Sequence, residues 1–398
     1  MRKIDLNNFQ VATSETARDI NRRIVLNLIR KLQPVSRADL SRHSGLQRST
    51  VSAITEDLIV DRWVTEGAVE HFPRGRKPTF LYLNSVRAGI IGVDLRPLAT
   101  TIALSGLDER FLTQATFPTG RDPQKFIAQL GQRICDLMKS HPEITYEGVG
   151  VALPGRVDSL SQRLIFAPNL GWRDLDLKNP LQQITGLPVE LENDANACAL
   201  AALWSDQGTQ GRHDLVAVAV TEGIGIGLVL NGQLVRGPAG MAGEFGHVVL
   251  HEDGPPCNCG NRGCWEVFGS NTAAVRYYTQ SRSRRSLPDS SAPAFEELLR
   301  LVEEGDIKAG QALDRMAHYL GEGIAMLAMG LAPDVVVVFG EVTQAWNRVG
   351  PIIQSTVESR LYTPIKVRIV PMNPAVESRL RGTTALVLQK HFGAPRFA

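Results

Sequence analysis

Residues 243–266 read GEFGHVVLHEDGPPCNCGNRGCWE. One imidazole and three thiols, His247, Cys257, Cys259 and Cys264, fall in this stretch, and four such donors make a closed tetrahedral set for Zn²⁺ with no position left for a reacting water. The ion is therefore expected to be structural, one per chain. His251 lies between them and competes with His247 for the fourth place. The other two of the five cysteines, Cys135 and Cys198, stand alone in apolar surroundings. Three clustered thiols point to a metal in a reducing compartment rather than to disulfides. The first thirty residues carry no apolar signal core with a cleavage site, and no window approaches the ~18 consecutive apolar residues of a membrane span. The expected location is the cytoplasm, with no membrane partner.

Outward from this stretch, GIIGVDL (89–95), GVGVALPG (148–155), LVAVAVTEGIGIGLVLNG (215–232) and VVVVFG (335–340) are apolar, β-branched runs ended by glycine or proline. Helical segments such as Pro123 to Leu137 and Asn196 to Trp204 lie between them, the pattern of buried sheets covered by helices in an α/β architecture. The strand-rich beginning recurs near the middle, which suggests two similar lobes with a cleft between them. A length of 398 residues leaves room for two or three folding units.

The N-terminal fifth differs in charge. Residues 1–84 hold 14 basic and 9 acidic side chains, against 29 and 32 in the remainder. Ile20, Ile24, Leu28 and Leu32 recur at helical spacing until Pro34 stops them. Ser36 with Asp39 three residues on forms a shortened capping box, opening a brief helix that Gly45 closes. In QRSTVSAITEDLI (47–59) Val51, Ile54 and Leu58 share one face, while Arg48, Ser49, Ser52 and Thr55 point elsewhere. This is helix-turn-helix spacing, with Gln47, Arg48, Ser49, Thr50 and Ser52 placed to reach phosphates or base edges of double-stranded DNA. A small helical bundle with a solvated face has the same spacing. Two alternating runs, RWVTEGAV and TFLYL, then flank PRGRKP (73–78), a narrow loop carrying Arg74, Arg76 and Lys77. That is the pattern of a wing whose cations enter a minor groove.

ENDANACALAALW (192–204) places Asn193 and Asp194 at a strand-to-helix junction. A carboxylate there can hydrogen-bond a ligand hydroxyl or simply cap the helix. Glu244, His247 and Glu266 surround the proposed metal, as a grip on vicinal hydroxyls or as surface acids.

Taken in order, VALPGRVDS, APNLGW, ENDANACALA, GIGIGLVLNG, GEFGH and CNCGNRGCWE behind a winged helix resemble the ROK family of repressors, open reading frames and sugar kinases, and within it the N-acetylglucosamine- and xylose-type sugar repressors. The resemblance implies a winged helix-turn-helix at 1–84, then a two-lobed actin-like ATPase fold. The first lobe would span 89–191 with a C-terminal helix, 376–398, packing back on it; the second would span 192–375 and hold the zinc. It implies sugar contacts at Asn193, Asp194, Glu244, His247 and Glu266, with Gly155, Arg156 and Asn169 as further candidates. In kinase members the aspartate matching Asp194 is the general base. His247 would then bind zinc through one ring nitrogen and address the ligand through the other.

The departures from the kinases fall in one place. Where kinases follow the strand aspartate, here Asp94, with Gly-Gly-Thr-Lys, this chain has Arg96, Pro97, Leu98 and Ala99. Glu222 replaces a phosphate-loop threonine, and Glu341 and Val342 replace glycines near the adenosine. The sugar elements are kept and the nucleotide elements are not. No ATP and no enzymatic activity are therefore expected. The expectation is a sugar- or sugar phosphate-responsive repressor of carbohydrate uptake or metabolism genes, a homodimer or dimer of dimers on a pseudo-palindromic operator. The alternatives are a regulator controlled by a protein partner and a bifunctional sugar kinase.

Overall fold

Three helices and a small sheet open the chain. In the computed structural model, which describes residues 13–67, 79–85, 88–108, 110–204, 214–281, 294–362, 366–372 and 375–393, α1 (Ser14–Leu32) starts on a capping box between Thr13 and Thr16. Next come β1 (Val35–Ser36), α2 (Arg37–Ser44) and α3 (Arg48–Val60), then β2 (Val64–Gly67) and β3 (Phe80–Leu83), paired antiparallel in the order β1-β3-β2. Ser36 caps α2 together with Asp39, and Gly45 ends it in the left-handed region at φ 73°. Two expectations are corrected. The buried face of α1 is Val25, Leu26 and Ile29, with Ile24 40% exposed, because the helix is packed from two sides, by the head's own core and by the C-terminal helix. Thr55, expected on the outer face of α3, is buried, accepting from Arg37 Nε at 3.0 Å and donating to the Ser52 carbonyl at 3.0 Å. The loop expected to form the wing, with Arg74, Arg76 and Lys77, lies outside the described residues.

The rest of the chain builds two sheets of five strands. The first comprises β4 (Ala88–Leu95), β5 (Ala99–Ser105), β6 (Phe111–Pro118), β7 (Thr145–Leu153) and β11 (Val189–Asn193). Helix α4 (Pro123–Ser140) connects β6 to β7; a small antiparallel sheet of β8 (Arg156–Val157), β9 (Leu164–Ala167) and β10 (Trp172–Leu175), then α5 (Lys178–Thr185), connect β7 to β11. After α6 (Asp194–Trp204) the second sheet comprises β12 (Leu215–Val220), β13 (Ile224–Leu230), β14 (Gln233–Val235), β15 (Val335–Phe339) and β16 (Ile369–Met372). Helices α7 (Glu266–Gly269), α8 (Asn271–Ser281), α9 (Phe295–Glu303) and α10 (Ile307–Leu331) precede β15, α11 (Trp346–Arg360) follows it, and α12 (Ala375–Phe392) closes the fold.

The internal echo in the sequence is a repeat of topology. The strand orders β6-β5-β4-β7-β11 and β14-β13-β12-β15-β16 are the same arrangement: an antiparallel meander whose first strand is joined by two parallel strands through helical crossovers. Burial on both faces explains the unbroken apolar runs, since every residue of β4, β12 and β15 is buried.

Helices α6 and α12 lie between the sheets, α6 against β12 and β13 and α12 against β4 and β7. They approach backbone to backbone at Gly382, where a Cβ would stand 2.0 Å from the Ala197 carbonyl oxygen, so only glycine fits there. Both run to the N-terminal head. The Arg30 guanidinium of α1 lies 4.3 Å from the Trp204 ring centroid, Phe392 meets Trp204 edge-on at 5.2 Å, and Asn27 donates to the Phe392 carbonyl at 2.8 Å.

Candidate functional site

The 243–266 segment is a loop with little regular structure, held by the isolated bridges Val249–Cys264 and Pro256–Arg262 and by a turn in which Gly260 N donates to the Cys257 carbonyl at 3.0 Å. These bonds gather the donor atoms of His247, Cys257, Cys259 and Cys264 to within 4.8 Å of one another. Cys259 and Cys264 sulfurs are 3.6 Å apart, and Cys257 Sγ is 3.5 Å from His247 Nδ1. Thiolates at 2.3 Å from one tetrahedral ion would be about 3.8 Å apart, so the donor set fits Zn²⁺. Burial pushes the Cys257 thiol up to about 12, so that sulfur keeps its proton at neutral pH unless a cation displaces it. The choice between the two histidines falls on His247. His251 turns away, its Nε2 3.7 Å from Glu322 and its ring edge-on to Phe268 and Tyr319.

With Nδ1 on the sulfur side, His247 directs Nε2 toward the exposed Glu244, whose Oε2 is 3.8 Å away. Glu266 touches the same cluster from the other side. Its Oε1 lies 3.7 Å from Cys257 Sγ, and its Oε2 accepts from Ile224 N at 3.2 Å. Gly223 makes that approach possible, because a Cβ there would sit 2.3 Å from Glu266 Oε2.

At the end of β11, the capping role weighed for Asp194 is carried chiefly by Asn193. Its Oδ1 accepts from Ala195 N and Asn196 N at 2.9 and 3.1 Å, and its Nδ2 donates to the Gly155 carbonyl at 2.8 Å. Asp194 Oδ1 accepts from Ala195 N at 2.9 Å. Burial raises the Asp194 carboxyl from its ordinary 3.8 to about 6. Arg156 packs one guanidinium nitrogen on Met241 Sδ while its buried Nε has no hydrogen-bond partner among the described residues, and Asn169 is exposed in the turn between β9 and β10.

Sequence reading missed two ion pairs on buried carboxylates. Glu192, 5% exposed, accepts from Arg236 Nε at 2.7 Å, from Asn193 N and from Asn196 Nδ2, tying the end of β11 to the loop that leads into Glu244. Asp94 and Arg379, 1% and 3% exposed, pair at 2.8 Å and bind the end of β4 to α12. Neither pair has a local signal, since the partners are 44 and 285 residues apart. In the head, Gln47, Arg48, Ser49 and Ser52 are exposed at the start of α3, and Thr50 is half-buried.

A profile of the ROK family matches residues 90–390. The chain belongs to the ROK family. Both of its branches are represented among similar proteins. The xylose repressor of Bacillus subtilis is 29% identical over 388 residues, spanning 96% of this chain and 98% of that protein. The glucokinase of Streptomyces coelicolor is 32% identical over 265 residues, spanning 63% of this chain and 81% of the kinase. Among solved structures, a ROK family transcriptional regulator described as a homologue of the E. coli MLC protein superposes with a TM-score of 0.81 at 26% identity, over 95% of this chain and 98% of that one. A ROK family glucokinase from Streptomyces griseus, in complex with glucose and AMPPNP, gives 0.68 at 28% identity and covers 76% of this chain and 99% of the kinase. The ROK regulators therefore match head and lobes together, whereas the ROK kinases match the lobes. Among the described residues of this ROK protein no helix is long and apolar enough to cross a membrane.

Proposed function

We propose that this ROK protein is a sugar-responsive, DNA-binding transcriptional repressor whose cleft binds a sugar without phosphorylating it. The observation that carries the reading is the likeness to repressors over 96% of the chain, N-terminal head included. Residues 1–84 are the DNA-reading unit, with Gln47, Arg48, Ser49, Thr50 and Ser52 facing the major groove and Arg74, Arg76 and Lys77 on the wing. Residues 89–191 with 376–398 and residues 192–375 are the two lobes of the sensor. A homodimer or dimer of dimers would present two heads to a pseudo-palindromic operator in the cytoplasm.

The sugar lies between Asp194 and the metal-bound loop, contacted by Asn193, Asp194, Glu244, His247 and Glu266, with Gly155, Arg156 and Asn169 at the rim. His247 and the three cysteines would hold a zinc that makes the loop rigid, and with Nδ1 turned to the sulfurs the Nε2 of His247 would be left as a donor to a hydroxyl. Asp194 accepts from a hydroxyl as a carboxylate. Its folded-state value of about 6 against an ordinary 3.8 means that the folded chain holds the extra proton between those values, so Asp194 lowers stability as pH rises through that window and is a full acceptor above it. Sugar affinity, measured by calorimetry with xylose and a panel of uncharged pentoses and hexoses, is expected to be about tenfold weaker at pH 5 than at pH 7. Asp194→Asn should flatten this profile. A steep profile persisting in that variant would remove Asp194 from the site.

A further inference from the structure

Three of the replacements noted in the sequence meet: Arg96 lies 126 residues from Glu222 and farther still from Glu341, yet its guanidinium reaches both. Arg96 follows β4, Glu222 sits in the turn between β12 and β13, and Glu341 follows β15. All three positions are at carboxyl ends of central strands, where ligands of α/β sheets are held. Arg96 Nη2 lies 3.2 and 3.4 Å from the two carboxylate oxygens of Glu222, and Nη1 lies 3.6 Å from Glu341 Oε1. Glu341 Oε2 is fixed in turn by Asn271 Nδ2 at 3.0 Å, and the Arg96 carbonyl by Thr119 Oγ1 at 2.7 Å. The guanidinium belongs to the first lobe and both carboxylates to the second. Glu222 does more than set a negative charge where a threonine stands in the kinases: the cation that a phosphate would seek is already engaged.

We propose that Glu222 and Glu341 are an internal substitute for an anionic ligand on Arg96, tying the two lobes together at the strand ends and closing that end of the crevice to polyphosphates. A planar guanidinium takes carboxylate and phosphate oxygens by the same paired geometry, so the two compete for one site. The carboxylates are covalently part of the chain, so they act at a high effective concentration against any free anion. Arg96 is 29% and Glu222 60% exposed, so the pairing adds little to global stability and acts on selectivity instead. The inference concerns the same crevice as the proposed sugar site but rests on these three side chains alone.

The test is calorimetric titration of the full chain with tripolyphosphate and with ATP at constant ionic strength. The double variant Glu222→Gln/Glu341→Gln keeps one acceptor oxygen at each position, so that Asn271 still has an acceptor, while removing both charges. It is expected to bind tripolyphosphate at least tenfold more tightly than the wild type, with a melting temperature within a few degrees of it, and adding Arg96→Met should abolish the gain. Glu222→Gln alone should give a smaller gain, which keeps the comparison available if the double variant fails to fold. Wild-type affinity equal to that of the variants, or a gain that survives Arg96→Met, would overturn the proposal. Absence of sugar binding in every form would count against the sugar-sensing reading and leave this comparison intact.

Discussion

Replacing Arg379 by methionine is expected to destabilise the protein by about 3–5 kcal/mol, because it leaves the Asp94 carboxylate buried without its counter-charge. Asp94 is 1% and Arg379 3% exposed, and the Nε–Oδ1 bond is 2.8 Å, so neither group has water to fall back on. The same guanidinium also lowers the pKa of the half-buried Asp194, against the larger upward push of burial, so its loss should raise Asp194 above its value of about 6. Urea unfolding monitored by tryptophan fluorescence gives the measurement. Adding Asp94→Asn to Arg379→Met should recover much of the loss, since the pair is then replaced by a neutral amide and an apolar chain; equal destabilisation in the single and double variants would show that packing, not charge, dominates at this position.

Removal of the metal should have the second large effect, and a more local one. With Cys264→Ser, or after chelation, the protein is expected to lose one zinc per chain and at least tenfold in sugar affinity. Cys264 is fully buried, and its backbone pairs with Val249, so the donor set and the loop geometry fail together. His247 and Glu266 lose their fixed positions in consequence, while the first sheet keeps its core. Zinc content by atomic absorption and sugar affinity by calorimetry report the two losses separately. Zinc-free protein with unchanged affinity would mean that the loop holds its shape without the ion.

The fold could be read from the sequence where burial is periodic or continuous. The β-branched runs are strands because both faces of each sheet are covered, and their recurrence becomes the repeated five-strand order. Capping at Ser36 and the left-handed Gly45 are local chemistry and were equally legible. The metal set was visible because three of its ligands fall within eight positions, and His247, already preferred as the fourth, is the histidine that the distances bring to the sulfurs while His251 turns away. The face of α1 was misjudged because a stripe of residues does not reveal that a second partner, α12, covers the helix from another side. Thr55 looked like a surface residue because nothing in its neighbourhood announces Arg37 as a partner. Asn193 and Asp194 were recognisable as a pair, but the division between them follows from the hydrogen bonds that make Asn193 the cap and from the burial that raises the pKa of Asp194, neither of which spacing encodes. Asp94–Arg379, Glu192–Arg236 and the Arg96 cluster join distant segments, and only the chain's path brings them together.

The central claim, that the cleft reports a sugar to the head without transferring a phosphoryl group, is tested most directly by one titration. Operator affinity, on a duplex selected by the protein from a random pool, would be followed by fluorescence anisotropy against increasing xylose and related uncharged sugars with Mg²⁺ and ATP present, and the recovered sugar analysed for phosphate. The expected result is a change in operator affinity on the order of 5- to 150-fold that is identical with and without ATP, and sugar recovered unmodified. Phosphorylated sugar, or an operator affinity indifferent to every sugar tried, would contradict it.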